Sequence, residues 1–367
     1  VVPVGADRRE SERMIAALPL PEPIHTLDFA SLGLLVGRAF PDSGGTFEVD
    51  PMPGGASTRR YFRLHIGGRT AVAMFVPDGA RPEEVAKGAA TTARWPFLEV
   101  RDLLATHGID VPDVYGEATD RGWVILEDLG DDTLAAFLTG HADRRLEMYV
   151  RAVNDLARAQ ASLGQMPEGG VIRSRAFDED LLLCEIQHFR EWGIEGRGIA
   201  LSGPDRARFD RIADRLAKRI AAWPRVFVHR DYQSRNLMVR PSGALCWIDF
   251  QDALLGPRVY DLVALLNDSY QQFDRAFVEA RLDDYARTAH LDARDREALG
   301  LEFDLVTVQR KLKDAGRFVY IDRVKGNSSF LKFVEPTIAK VRASLARLEG
   351  DEDMRTLLDL LDRVLSG

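Results

Sequence analysis

The chain has 367 residues, 46% hydrophobic and 29% charged, with a formal net charge of −8. That is enough chain for two separately cored lobes of ordinary globular composition. Its arginines are interspersed with acids, as in RARFDRIADRLAKR, which excludes a basic nucleic-acid footprint, and no apolar run reaches membrane-span length.

Residues 1–24, with Pro19, Pro21 and Pro23, read as a loosely held arm, and the Met14–Leu20 stretch is too broken for a signal peptide. Leu27 to Phe40 has helical spacing and ends in the loop Pro41-Asp42-Ser43-Gly44-Gly45. Strand texture follows. Phe47-Glu48-Val49 is one strand, Phe62, Leu64 and Ile66 alternate along a second, Gly67-Gly68 is a hairpin turn, and Thr70 to Val76 is a third. Leu98 to His107 reads as a helix closed by Gly108, and Trp123 to Glu127 as another strand, followed by Asp128-Leu129-Gly130. Helices dominate from there. Leu146, Val150, Val153 and Ala157 define one apolar face, and Phe209, Ile212, Leu216, Ile220 and Trp223 another, with Asp205 as its N-cap. Cys184 and Cys246, both inside apolar runs, predict buried reduced thiols and a cytoplasmic protein.

The most informative segment is VFVHRDYQSRNLMVRPSGALCWIDFQD at 226–252. Its His229-Arg230-Asp231, with Asn236 five positions after the aspartate and Asp249 ending the next strand, has the spacing of a kinase catalytic loop and its magnesium aspartate. A hydroxyl attacking a γ-phosphate needs a carboxylate to orient it and take its proton, and Mg²⁺ needs hard oxygen donors close by. Asp231 is therefore the candidate base, and Asn236 and Asp249 are the candidate metal ligands. Val226-Phe227-Val228 and Leu237-Met238-Val239 are expected to fix the loop at both ends as strands. His229 and Asp261 read as structural support for the loop.

At the nucleotide end, Gly54-Gly55-Ala56-Ser57 lies between two strands, where backbone N–H groups can meet phosphate oxygens. The next strand carries Met74 where a protein kinase has its phosphate-binding lysine. Methionine cannot hold a phosphate, so either the protein is a pseudokinase or another cation, from Arg59, Arg60 or Lys87, takes that part. The chain from Trp123 to Asp128, with Glu127 and Asp128 at its end, is the candidate adenine hinge.

Asp231-Tyr232-Gln233-Ser234-Arg235-Asn236-Leu237-Met238, Ile248-Asp249-Phe250-Gln251-Asp252-Ala253, Gly256-Pro257 and Tyr260-Asp261-Leu262-Val263 resemble the aminoglycoside phosphotransferase/choline kinase superfamily. More narrowly the chain is similar to the anomeric N-acetylmuramate/N-acetylglucosamine kinases of cell-wall recycling. Pro53-Gly54-Gly55-Ala56-Ser57 with Arg59-Arg60-Tyr61-Phe62-Arg63 resembles that family's first loop, Leu126-Glu127-Asp128-Leu129-Gly130-Asp131 its hinge, and Gln309-Arg310-Lys311-Leu312-Lys313 its late helix. That family tends to lack the phosphate lysine, which accounts for Met74. The segment Gly326-Asn327-Ser328-Ser329 and the longer N-terminal arm depart from its pattern.

The resemblance implies an α+β, protein-kinase-like fold of two lobes. A β-rich nucleotide-binding lobe would span 25–128 and a mainly helical lobe with catalytic loop and acceptor site 129–367. It implies ATP and Mg²⁺ as cofactors and a small-molecule alcohol or sugar as acceptor, with no nucleic acid or membrane partner and a monomeric or weakly dimeric state. Gln233, Arg235, Gln251 and Asp252 flank the acceptor side, with Glu185, Phe189, Glu191 and Trp192 as further candidates on a helix. An aminoglycoside or choline-type acceptor, and a nucleotide-binding pseudokinase with a regulatory role, remain open alternatives.

Overall fold

A computed structural model describes residues 26–53, 58–77, 94–269 and 271–365. These fall into two compact units, one drawn from Val1–Glu83 and Asp113–Asp128, the other from Glu84–Pro112 and Leu129–Gly367.

The first unit is a five-stranded antiparallel sheet in the order β1-β2-β3-β5-β4, built from β1 (Glu48–Pro51), β2 (Arg60–Ile66), β3 (Arg69–Phe75), β4 (Val114–Ala118) and β5 (Trp123–Glu127). Period-two burial sets its faces. Phe62, Leu64 and Ile66 of β2 and Ala71, Ala73 and Phe75 of β3 pack with Leu32, Leu35 and Val36 of helix α1 (Phe29–Ala39) and with Trp123 and Ile125. The β2–β3 turn needs positive φ at two consecutive residues, +54° and +83°, which Gly67 and Gly68 supply without a Cβ penalty. Met74 lies opposite Tyr61 on one side and Val124 on the other, on the face away from α1, and is fully buried. It fills a core position, as a thioether should.

The second unit includes α2 (Pro96–Thr106), although this helix falls within the 25–128 span expected for the nucleotide-binding lobe. Its Glu99 accepts a hydrogen bond from the Val171 N–H at 2.5 Å, and Phe97 stacks on Phe250 at 5.1 Å. Helices α3 (Leu134–Gly140), α4 (Arg145–Leu163), α5 (Gly170–Arg173), α6 (Glu179–His188) and α7 (Gly203–Ala221) follow. After them come four short strands, β6 (Arg225–Val228), β7 (Leu237–Val239), β8 (Leu245–Trp247) and β9 (Leu254–Pro257). The unit closes with α8 (Tyr260–Leu266), α9 (Arg275–Thr288), the 33-residue α10 (Ala293–Lys325), α11 (Val334–Arg347) and α12 (Glu352–Leu365). Among the described residues, no helix is long and apolar enough to cross a membrane.

Several local expectations need correction. The N-cap of α7 is Ser202, whose hydroxyl accepts from the Asp205 N–H, so Asp205 sits in the first turn instead. On α4 the buried face runs through Met148, Tyr149, Ala152, Val153 and Leu156, and Leu146 is exposed. Cys246 is buried as expected, but Cys184 is exposed, because it falls on the outer side of α6 between the buried Leu182 and Ile186. The Gly326-Asn327 departure terminates α10. Gly326 adopts φ +68°, the backbone N–H groups of both residues bond back to the last turn, and Asn327 caps the following turn through Ser329.

Candidate active site

The loop at 229–236 is held by strands that do not pair with each other. β6 pairs antiparallel with β9, and β7 with β8, so each end of the loop is anchored in its own two-stranded ribbon. Asp261, in the first turn of α8, clamps the entry: its oxygens accept the His229 N–H at 2.6 Å and the Arg230 N–H at 3.0 Å. Burial pushes this carboxyl up to about 7, against the pull of those donors and Arg310. His229 is fully buried between Tyr232 and Trp247, and desolvation lowers it to about 4, so it is neutral. A neutral ring with aromatic neighbours at 5.7 and 5.8 Å supports the loop's shape.

Arg230 takes φ +79° and Asp249 φ +63°, a left-handed region costly for residues with a Cβ. Both flank the polar centre, where such strain concentrates. The side chain of Arg230 is buried and donates to Glu185 at 3.3 Å, and Gln309 donates to the other Glu185 oxygen at 2.8 Å.

Asp231 presents a partly exposed carboxylate, with 38% of its side chain accessible. Its Oδ1 accepts from Arg310 at 3.3 Å, and the same guanidinium donates to the Arg230 carbonyl at 2.8 Å while lying over the Tyr260 ring at 4.7 Å. Its Oδ2 accepts no hydrogen bond from the described residues. Burial disfavours the charge on Asp231, but Arg310, Lys313 and Arg230 outweigh it together and hold the carboxyl below the usual range.

The Asn236 side-chain N–H₂ donates to the Asp231 carbonyl at 2.9 Å, and its backbone carbonyl receives the Ile248 N–H at 3.0 Å. That donation fixes the amide's orientation and leaves Oδ1 without a partner among the described residues. Asp249 is exposed, and its carboxylate accepts from Gln251 at 2.9 Å. The oxygens of Asn236 and Asp249 are hard donors of the kind Mg²⁺ prefers.

The remaining expected residues divide. Gln251 is buried, bridges Asp249 and Asp252, and gives its carbonyl to Arg175, so it braces the loop. Gln233 caps the turn by accepting the Asn236 N–H at 2.8 Å, and Arg235 is exposed. Glu185 belongs to the buried ion pair. Phe189 is fully buried against Phe209, Glu191 is exposed, and Trp192 meets Tyr320 edge-on at 5.1 Å.

In the first unit, Gly54, Gly55, Ala56 and Ser57 lie outside the described residues, as does Lys87. Arg59 is half-buried and Arg60 exposed. Glu127 accepts the Asp113 N–H at 3.2 Å, and Asp128 pairs with Arg63 at 2.9 Å. Sequence reasoning gave no role to Arg310, Lys313, Gln309 or Arg175. For the three on α10 the signal was a run of polar and charged residues inside a helix flanked by apolar ones: Arg310 is 4% exposed and Gln309 fully buried.

The phosphotransferase enzyme family model matches residues 48–299. An N-acetylmuramate/N-acetylglucosamine kinase of Pseudomonas aeruginosa is 34% identical over 315 residues, covering 82% of this chain and 86% of that one. A protein of the same name from Neisseria meningitidis is 32% identical over 327 residues, covering 82% and 90%. Among solved structures, an ethanolamine kinase of Plasmodium vivax superposes with TM-score 0.56 at 14% identity over 94% of this chain and 96% of that one. A choline kinase of Streptococcus pneumoniae does so with TM-score 0.53 at 16% identity over 82% and 94%. These share the protein-kinase-like fold. The chain belongs to the phosphotransferase enzyme family and is a small-molecule kinase with an alcohol-type acceptor.

Proposed function

We propose that the protein transfers the γ-phosphoryl group of ATP, in the presence of Mg²⁺, to the anomeric hydroxyl of N-acetylmuramate or N-acetylglucosamine. The observation that carries this is the state of Asp231, whose Oδ1 is pinned by Arg310 while Oδ2 accepts nothing from the described residues. An acceptor hydroxyl bonded to Oδ2 is oriented for in-line attack and passes its proton there. A carboxyl held below the usual range is a weak base. The anomeric hydroxyl, more acidic than an ordinary alcohol, is the sugar position such a base serves best. Arg310 and the Asp261 clamp keep the carboxylate and its loop in place, so little reorganisation accompanies transfer.

Asn236 and Asp249 would hold Mg²⁺, which supplies neutralisation of the charge on the transferring phosphoryl oxygens. The nucleotide would be held by the 54–57 loop, Arg59 and the hinge at Glu127 and Asp128, with the lobe boundary near 128. Gln233, Arg235 and Asp252 would stand on the acceptor side. The names of the relatives from Pseudomonas aeruginosa and Neisseria meningitidis support the acceptor class.

The alternatives fare less well. A polycationic antibiotic, or choline, calls for acidic surroundings, whereas Arg310 and Lys313 place positive charge beside the base. A pseudokinase has no use for an oriented Asn236 next to an available carboxylate oxygen. Mg²⁺-dependent ATP turnover with N-acetylglucosamine, N-acetylmuramate, kanamycin and choline tests the reading, with ³¹P NMR of the product. Phosphate at carbon 1 is expected. Phosphate at carbon 6 contradicts the anomeric assignment, and no turnover with any acceptor restores the pseudokinase.

A further inference from the structure

Along α10, Gln309, Lys313, Gly316 and Tyr320 recur every three or four residues and share one side of the helix. What that side faces is set by close contacts. Gln309 donates to Glu185 of α6 at 2.8 Å. A Cβ built on Gly316 would lie 2.8 Å from the Phe189 Cα and 2.9 Å from the His188 carbonyl oxygen, so only glycine lets the two backbones approach this far. Tyr320 meets the His188 ring at 5.5 Å and Trp192 at 5.1 Å. Phe189–Ile194 forms a π-helical turn, a distortion frequent at functional sites, and it carries Trp192 to this side.

Lys313 stands on this stripe between Gln309 and Gly316. It is also one turn beyond Arg310, which touches the Asp231 carboxylate at 3.3 Å. Its side chain is 13% exposed, yet among the described residues its one ionic contact is with its own neighbour Asp314, at 3.6 Å. Asp314 is itself engaged more closely by Lys311, at 2.9 Å. The other nearby acid, Glu185, already receives Arg230 and Gln309. Burial works against this charge, but Tyr260, Glu185 and Asp314 hold the ammonium well above the usual lysine range, so a protonated cation with no hydrogen-bond partner among the described residues stands close to the base, where an anion can meet it. Half-buried aromatic surface, Trp192 and Tyr320, lies two turns away on the same side.

We propose that Lys313 is a specificity-determining residue that receives the carboxylate of an acidic amino sugar, with the Trp192–Tyr320 pair as the apolar wall beside it. This rests on the sugar-kinase reading and extends it. N-acetylmuramate carries a lactyl carboxylate that N-acetylglucosamine lacks, so Lys313 separates the two acceptors. Its positive charge also acts on Asp231, but that effect is common to both sugars and cancels in their ratio.

The test is kcat/KM for both sugars in the parent protein, Lys313→Met and Lys313→Arg. Losing a charge-assisted contact is expected to lower kcat/KM for N-acetylmuramate by about 10- to 100-fold relative to N-acetylglucosamine, mainly through KM. Arginine, which keeps the charge, should restore most of the discrimination. A methionine variant that folds and loses both sugars equally, or loses neither, overturns the assignment. If the parent turns over neither sugar, the sugar-kinase reading fails and takes this with it. If the parent turns over both and the ratio does not move in Lys313→Met, only the role of Lys313 fails.

Discussion

Arg310→Met tests how the protein holds its candidate base. The guanidinium is 4% exposed and makes three contacts: the Asp231 carboxylate at 3.3 Å, the Arg230 carbonyl at 2.8 Å and the Tyr260 ring at 4.7 Å. Methionine keeps much of the stem's packing and removes the charge. Unit charges at such a separation interact by about 1 kcal/mol in water and about 4 kcal/mol at an effective dielectric of 20. The Asp231 side chain is 38% exposed, so solvent screening places the loss toward the middle, about 1–3 kcal/mol. Removing a cation disfavours the carboxylate and therefore raises its pKa from the lowered position it holds in the parent. As pH falls the variant should lose kcat/KM at a higher pH than the parent, with its acid limb displaced upward, and regain activity as pH rises. The buried Arg230 carbonyl also loses a donor, which costs stability by about 1–3 kcal/mol. The measurement is a pH profile of kcat/KM beside a denaturant titration. An acid limb that stays put, or moves to lower pH, refutes the electrostatic role. A uniform loss at every pH would mean that Arg310 only packs.

Asp261→Ala strips the acceptor from the His229 and Arg230 N–H groups and should destabilise the protein by about 2–5 kcal/mol, read by urea unfolding. A change under 1 kcal/mol means that water replaces the clamp. Gly316→Ala places a Cβ against the Phe189 backbone, so the melting temperature should fall by several degrees, and an unchanged value would show that α10 can shift outward at no cost. Asn236→Ala removes the oriented amide oxygen, and the Mg²⁺ concentration for half-maximal rate should rise about tenfold or more; an unaltered Mg²⁺ dependence removes Asn236 from the metal site.

The candidate catalytic hairpin was legible because chemistry imposes residue types at fixed local spacing. Asp231, Asn236 and Asp249 lie within 19 residues of chain, and the strands around the loop stand out as short apolar runs. The β2–β3 hairpin announced itself in the same way, through the Gly67-Gly68 pair. What the sequence concealed is non-local. Arg310 lies 79 residues from the carboxylate it pins, and only packing of α10 against the loop makes the pair. Glu185 read as a further acceptor-side candidate on a helix, and the structure makes it the buried partner of Arg230, 45 residues away in sequence. Gln251 looked like an acceptor contact because it lies two residues after Asp249, the candidate metal ligand. The buried amide instead braces Asp249. α2 falls inside the 25–128 span expected for the nucleotide-binding lobe, yet its Glu99 and Phe97 contacts are with the helical unit. In each case an intermediate propensity was decided by a partner distant in sequence.

The central claim is that Asp231 orients and deprotonates the acceptor hydroxyl, and Asp231→Asn tests it most directly. The side chain is nearly isosteric, so the fold should persist with a melting temperature within a few degrees of the parent. Loss of the base predicts a fall in kcat of about 10²- to 10⁴-fold with KM for the acceptor little changed. A correctly folded Asp231→Asn protein that turns over N-acetylglucosamine at the parental rate would contradict the account.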